Sequence, residues 1–174
     1  VRDSLRYGQI RKYDIANGPG IRTTVFVTGC RRHCKGCFNP EYQDFNAGKT
    51  PDTSFFLKLR EYLENPSVSG LTLLGGEPFE PENICLCLKC ILQAAHAGKP
   101  VWVYSGFTFE EIIKDKDKKT LLECCDVLVD GPFVEVLKDP SLRFRGSSNQ
   151  RIVDVKKSLK VGKVVLWKDG FYDA

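Results

Sequence analysis

The sequence predicts a single α/β domain built on a mostly parallel sheet. Two observations carry that expectation. Short apolar runs such as Thr24-Val25-Phe26-Val27 and Leu71-Thr72-Leu73-Leu74 alternate with amphipathic helical patterns, the order that favours parallel strands joined by right-handed crossovers. The length of 174 residues, with 42% hydrophobic and 28% charged residues and no repeats or low-complexity stretches, suits one domain with a core of its own.

Residues 7–13 alternate loosely and are expected as an edge strand, followed by a turn at Asn17-Gly18-Pro19-Gly20 that Ile21-Arg22 closes. Residues 23–28 read as a buried β-branched strand ending at Gly29. Asp52 can cap a helix over residues 54–64, where Phe55, Phe56, Leu59 and Leu63 recur at helical spacing before Asn65-Pro66 stops it. Residues 71–74 form a second buried strand, and Gly75-Gly76-Glu77-Pro78 follows at its C-terminal end. Pro81 suits the first turn of a helix that runs to Ala97 and stops at Gly98. A third strand over residues 101–104 leads into Ser105-Gly106. Thr108-Phe109-Glu110-Glu111 has the capping-box form and opens a helix toward Cys125, with Phe107 and Phe109 as core residues. Residues 126–130 are a fourth strand, broken by Gly131-Pro132, and 152–155 and 164–167 are weaker strand candidates.

Ligands of such sheets gather at the C-terminal strand ends. Four of those ends carry polar or glycine-rich residues: the loop after Gly29, Gly75-Gly76-Glu77-Pro78, Ser105-Gly106 and Asp130. They are expected to line one cleft.

The net charge of +4 comes from positive residues scattered along the chain, so no nucleic-acid surface is expected. No run of 18 apolar residues exists and the first residues lack a signal-peptide core, so the protein is expected in the cytoplasm and away from membranes. With no methionine and Val1 first, the natural start is expected to be missing. Eight cysteines in a reducing compartment point to metal binding or catalysis rather than disulfides, and two histidines favour thiolate over imidazole chemistry.

Cys30, Cys34 and Cys37 stand at C-x-x-x-C-x-x-C spacing in the loop after Gly29. Three thiolates on a centre that takes four ligands leave one position open to a substrate. The spacing favours an open iron–sulfur site; the alternative is structural zinc completed by His33 or a distant cysteine, although His33 abuts Cys34 and their side chains would diverge. Gly75-Gly76-Glu77-Pro78 is either a tight strand-to-helix turn or a ligand cradle in which Glu77 accepts from a cationic group. Cys85, Cys87 and Cys90 share a helix, where about 100° per residue sets Cys85 opposite the other two, so the three cannot hold one metal. Adjacent Cys124 and Cys125 diverge as well. Asp130 can cap the next turn or face the cleft, and the polar stretch 143–151 can dock a partner or a ligand carboxylate.

These motifs resemble those of radical S-adenosylmethionine enzymes, and more narrowly the activating proteins of anaerobic (class III) ribonucleoside-triphosphate reductase. The resemblance rests on Asn17-Gly18-Pro19-Gly20-Ile21-Arg22, the three cysteines with Phe38-Asn39, Gly75-Gly76-Glu77-Pro78, Asp126-Val127-Leu128-Val129-Asp130-Gly131 and Arg145-Gly146-Ser147-Ser148-Asn149-Gln150. It implies a partial β/α barrel over residues 1–155, with 156–174 a C-terminal extension of the same domain forming a strand or hairpin. It implies that Cys30, Cys34 and Cys37 bind one 4Fe–4S cluster whose fourth iron takes the amino and carboxylate groups of S-adenosylmethionine. Gly75, Gly76 and Glu77 would hold the methionine ammonium, Gly36, Cys37 and Phe38 the adenine side, and Ser105 and Asp130 the ribose or methionine end. Gly36 departs from the wider superfamily, which has an aromatic residue before the third cysteine; Phe38 can take over that contact. The implied activity is reductive cleavage of S-adenosylmethionine to a 5′-deoxyadenosyl radical that generates a glycyl radical on the large reductase subunit, with electrons from a flavodoxin- or ferredoxin-type donor. The competing expectations are an activase of the pyruvate formate-lyase type and a non-catalytic zinc or electron-transfer module.

Overall fold

In a computed structural model that describes residues 4–168, six strands form one sheet in simple sequential order: β1 (Tyr7–Asp14), β2 (Arg22–Val27), β3 (Gly70–Gly75), β4 (Val101–Tyr104), β5 (Val127–Asp130) and β6 (Arg151–Asp154). The pairs from β2 to β5 are parallel, and β1 and β6 close the two edges antiparallel. The described residues also form helices α1 (Thr53–Glu64), α2 (Pro81–His96), α3 (Phe109–Ile112), α4 (Lys116–Glu123) and α5 (Val155–Val161).

A strand order that only increments makes every right-handed crossover step the same way, so the helices must share one face. The packing agrees. Phe55, Leu59 and Leu63 of α1, Leu86, Cys87 and Cys90 of α2, Phe109 of α3, Leu121 and Leu122 of α4 and Val155 of α5 join Val25, Leu73, Val103, Leu128 and Val153 of the sheet in one core. Alternate residues of the same strands point the other way. There Arg22, Thr24, Thr72 and Trp102 fill the end of the sheet where the parallel strands begin. Arg22 Nε donates to Thr72 Oγ1 (2.8 Å), Thr24 and Asn17 both donate to Asp14 Oδ2 (2.8 Å each), and the guanidinium of Arg22 lies over Trp102. This polar plug anchors the Asn17–Arg22 turn, because Thr72 Oγ1 also donates to the Asn17 carbonyl (2.8 Å).

Two elements differ from the sequence expectation. The helix expected from Thr108 to Cys125 is two helices, because Asp115 accepts from the amides of Asp117 and Lys118 and so starts a new one. The stretch after residue 155, expected as a strand or hairpin, begins as α5, capped by Asp154 on the Lys157 amide and ended by Gly162 in the left-handed region. Residues 165–167 then lie beside β6, with an Asp154 amide to Val165 carbonyl bond and a Leu166–Val153 bridge. Residues 169–174 of that expectation lie outside the described part. The cysteines of α2 behave as helical geometry requires: Cys85 is exposed, and Cys87 and Cys90 are buried.

Candidate metal and ligand site

Above the polar plug, at the C-terminal ends of the parallel strands, the face without helices opens into a cavity of about 430 Å³ with Phe26, Leu74 and Tyr104 as its floor. The first wall is the cysteine loop. Cys30, Cys34 and Cys37 all line the cavity and are half-buried. The loop is tied down at its start, where the amides of Gly29 and Cys30 donate to the carbonyls of Tyr42 (2.8 Å) and Gln43 (3.0 Å). Burial pushes the Cys30 thiol up, as does the nearby charge of Glu77.

The Gly75-Gly76-Glu77 turn packs directly against this loop. The Gly76 amide donates to the Val27 carbonyl (2.8 Å) and the Glu77 amide to the Gly29 carbonyl (2.9 Å). A Cβ on Gly76 would stand 2.6 Å from the Gly29 oxygen and 2.7 Å from the Tyr42 oxygen, and Gly75 has φ +109°. Glycine is therefore required at both positions by the closeness of backbone to backbone. The sequence reading left this stretch between a tight strand-to-helix turn and a ligand cradle; the structure shows the close backbone packing of a tight turn.

Glu77 sits at the end of β3, 2% exposed. Its Oε1 accepts from the Ser105 hydroxyl (2.8 Å) and the Phe79 amide (3.0 Å), and its Oε2 from the Gly106 amide (2.7 Å). A carboxylate offers about four lone-pair positions, so one on Oε2 is left for an incoming N–H. Burial raises the Glu77 carboxyl to about 7 against the lowering pull of these three donors and of Arg32. Ser105 is thereby fixed at the end of β4, and its Oγ also accepts from the Phe107 amide (2.9 Å).

Residues 131–150 build the facing wall. Phe38 of the cysteine loop is 57% exposed and packs against Phe133 in a tilted arrangement, 4.9 Å between ring centroids. A Cβ on Gly146 would meet the Phe38 ring at 2.7 Å. Gly36 does not line the cavity; it faces Glu135, which also pairs with Lys35 (3.4 Å). Nor does Asp130. It shares its side of β5 with Leu128, toward the helices, and is 1% exposed. Its Oδ2 accepts from the Phe109 amide (2.7 Å) and from Arg151 (2.6 Å), and its Oδ1 from Arg151 Nε (3.0 Å). Its carboxylate accepts from the first amide of α3 and ties β5 to β6, outside the cavity lining, where the sequence reading expected it at the ribose or methionine end of the cofactor. A one-residue step along β5 is what separates it from Val129 on the cavity side.

The structure thus brings Cys30, Cys34, Cys37, Phe38, Gly75, Gly76, Glu77 and Ser105 to one cavity. Sequence reasoning missed Arg11, Asn17, Arg32, Tyr104 and Phe133 as lining residues, and gave the stretch that holds Arg145 to a partner or a ligand carboxylate without singling that residue out. Alternation along β4 could have found Tyr104, two residues after Trp102; Arg11 comes from the edge strand β1, and the others reach the cavity from irregular segments.

Three soft thiols on one wall fit an iron–sulfur cluster by donor chemistry. Among the described residues no three His, Cys, Asp or Glu side chains are gathered as a single ion needs. The cavity also has polar demands unmet by the protein. Arg32 Nε, the Tyr104 hydroxyl and Arg145 Nε are buried with no hydrogen-bond partner among the described residues, and all three residues line it. No helix among the described residues is long and apolar enough to cross a membrane.

The model for the 4Fe–4S single cluster domain matches residues 16–153. The chain is 38% identical over 152 residues to the anaerobic ribonucleoside-triphosphate reductase-activating protein of Pasteurella multocida (strain Pm70), which covers 85% of this chain and 96% of that protein. It is 37% identical over 150 residues to the protein of that name from Escherichia coli (strain K12), covering 84% and 96%. The counterpart from Enterobacteria phage T4 is 33% identical over 150 residues, covering 85% and 93%.

Proposed function

Because the chain belongs to the family of anaerobic ribonucleoside-triphosphate reductase-activating proteins, with their 4Fe–4S single cluster domain, we propose that it is a radical S-adenosylmethionine activase of that reductase. The observation that carries this reading is the meeting of Cys30, Cys34 and Cys37 with the Gly75-Gly76-Glu77 turn on one cavity at the C-terminal strand ends. On this reading the sheet is the partial β/α barrel of that superfamily, and residues 1–155 are its functional core.

The three cysteines would hold the cluster, through thiolates whose deprotonation burial opposes at Cys30. Bound there, the cluster would supply low-potential one-electron reduction of a sulfonium, chemistry suited to hydrogen-atom removal from a glycine Cα of the reductase. Glu77 receives the methionine ammonium at the acceptor position left on Oε2, and the added positive charge draws its carboxyl down from about 7. Ser105, fixed by Glu77 and the Phe107 amide, keeps one lone pair for the ligand. Phe38, packed at a tilt against Phe133, offers an apolar edge for adenine and shields the cavity mouth from water. Gly75 and Gly76 hold the cysteine loop and Glu77 in fixed relation, which is positioning rather than acid–base chemistry. The large reductase subunit brings its glycine to the mouth, and a flavodoxin- or ferredoxin-type donor supplies the electron.

Anaerobic reconstitution with iron and sulfide, reduction, and addition of S-adenosylmethionine test the proposal. 5′-Deoxyadenosine and methionine should form, and a glycyl radical signal should appear on the large reductase subunit. Bound zinc without cluster absorbance, or radical formation on a formate-lyase partner but not on the reductase, would overturn it.

A further inference from the structure

We propose that Arg145 is the carboxylate-recognising residue of this cavity, held in readiness by Gln150. The inference rests on the reading of the cavity as the S-adenosylmethionine site and assigns one more contact within it. All the buried polar atoms that lack partners among the described residues are donors or can act as donors: Arg32 Nε, the Tyr104 hydroxyl and Arg145 Nε. Unpaired buried donors are costly, so the cavity is short of acceptors and suits a ligand that brings them.

Of the three residues, Arg145 has the clearest need for an anion. Arg32 lies over the Phe107 ring, stands 3.8 Å from Glu111 and is felt by Glu77. Tyr104 is neutral, because burial pushes its hydroxyl up. Arg145 has no acidic side chain in salt-bridge range among the described residues. Among the described residues its one side-chain hydrogen bond runs from a terminal nitrogen to the Gln150 carbonyl (3.0 Å).

The loop that carries Arg145 is built to hold it still. Gln150 Oε1 accepts from the amides of Gly146 (2.8 Å) and Ser147 (3.2 Å), while its Nε2 donates to the Gly131 carbonyl (3.0 Å). Asn149 Nδ2 donates to the Pro132 carbonyl (2.8 Å), which fastens the loop to the turn after β5. A clamped guanidinium presents its planar fork with little entropy left to lose. Glu77 on the same cavity disfavours a multiply charged phosphate and, with Arg145, matches an α-amino acid group: ammonium to Glu77, carboxylate to Arg145. That carboxylate can come from the methionine end of S-adenosylmethionine or from an acidic group of the reductase segment at the mouth.

Equilibrium binding to the anaerobically reconstituted protein separates the sources. S-adenosylmethionine and its decarboxylated analogue are titrated into the parent, Arg145→Met, Arg145→Lys and Gln150→Leu proteins. In a second arm the affinity for the large reductase subunit is measured. Arg145→Met should bind S-adenosylmethionine about 10- to 100-fold more weakly while the analogue changes less than about 2-fold. Arg145→Lys should fall between, and Gln150→Leu should shift the same way by a smaller factor. A loss confined to reductase affinity supports the assignment with the partner as the source. Equal losses for both ligands, or no change in either arm, overturn it, with cluster absorbance and circular dichroism confirming a folded, loaded protein. Should Arg145→Met not fold, Arg145→Lys carries the same discrimination between the two ligands. A parent that binds no S-adenosylmethionine defeats the proposed function instead, and the reductase arm then decides Arg145 alone.

Discussion

The two faces of the sheet do opposite work with alternate residues of the same strands. On one, Val25, Leu73, Val103, Leu128 and Val153 are sealed under helices in a continuous apolar core. On the other, a polar plug of Asp14, Arg22, Thr24 and Thr72 closes the end where the parallel strands begin, and a cavity with unpaired donors occupies the far end. The first face is sealed by apolar packing; the second holds buried donors that have no partner among the described residues. Stability should therefore reside mainly on the helix face, and function on the other.

The largest effect expected from breaking that division is at the cysteine loop. Outer partners of metal ligands cost about 10- to 100-fold when removed, and a ligand itself should cost more. Cys34→Ala should therefore lose more than about 100-fold of S-adenosylmethionine cleavage, while urea unfolding of the cluster-free protein changes by less than about 0.5 kcal/mol. An unfolding midpoint that drops with the activity would mean that the loop belongs to the core. The reverse pattern is expected at Leu73, which is fully buried. Leu73→Ala should cost about 2–5 kcal/mol of stability, and the fraction that remains folded should still take up iron and sulfide.

Glu77 tests the boundary, because it is as buried as the core yet faces the cavity. Its carboxyl is raised from 4.5 to about 7 by burial, so the native state holds a proton that the unfolded chain has already lost. The contribution is fully present below pH 4.5 and fades as pH rises through 7, about 3 kcal/mol in all for the cluster-free protein. Glu77→Gln should flatten that part of the stability–pH curve. A parent curve already flat between pH 4.5 and 7 would show the carboxylate to be ionised throughout.

What the sequence made legible follows the same division. Strands β2 to β5 and the helices they precede were readable because burial repeats at fixed periods, and Asp52 and Thr108 do cap helices as their positions suggest. The cysteine loop and Glu77 were readable because few residue types can do their chemistry. Less visible was anything set by local competition. Asp115 could not be told from an ordinary polar helix residue until its side chain was seen on the Asp117 and Lys118 amides. Val155 extended a β-branched run although Asp154 ends it by capping α5. The stretch 143–151 was legible as a dock for a carboxylate or a partner, but Arg145 did not stand out within it, since its lack of acidic partners among the described residues arises only when distant segments meet.

Asp130 is where strand parity and motif resemblance disagree, and it gives the finest test of the two faces. Resemblance places it with the cofactor; parity sets it beside Leu128 on the helix side, with Arg151 and the Phe109 amide as partners. Asp130→Asn keeps an oxygen for the Phe109 amide but gives up the charge opposite Arg151, which is also held by Glu110 (2.6 Å). With Arg151 partly solvated and Glu110 still present, the expected loss is only about 1–2 kcal/mol in thermal or urea unfolding. S-adenosylmethionine affinity should stay within about 2-fold of the parent, because no bond of Asp130 reaches the cavity wall. An affinity loss above about 10-fold with stability unchanged would put the carboxylate on the ligand side of β5 and show that resemblance, not parity, reads this position correctly.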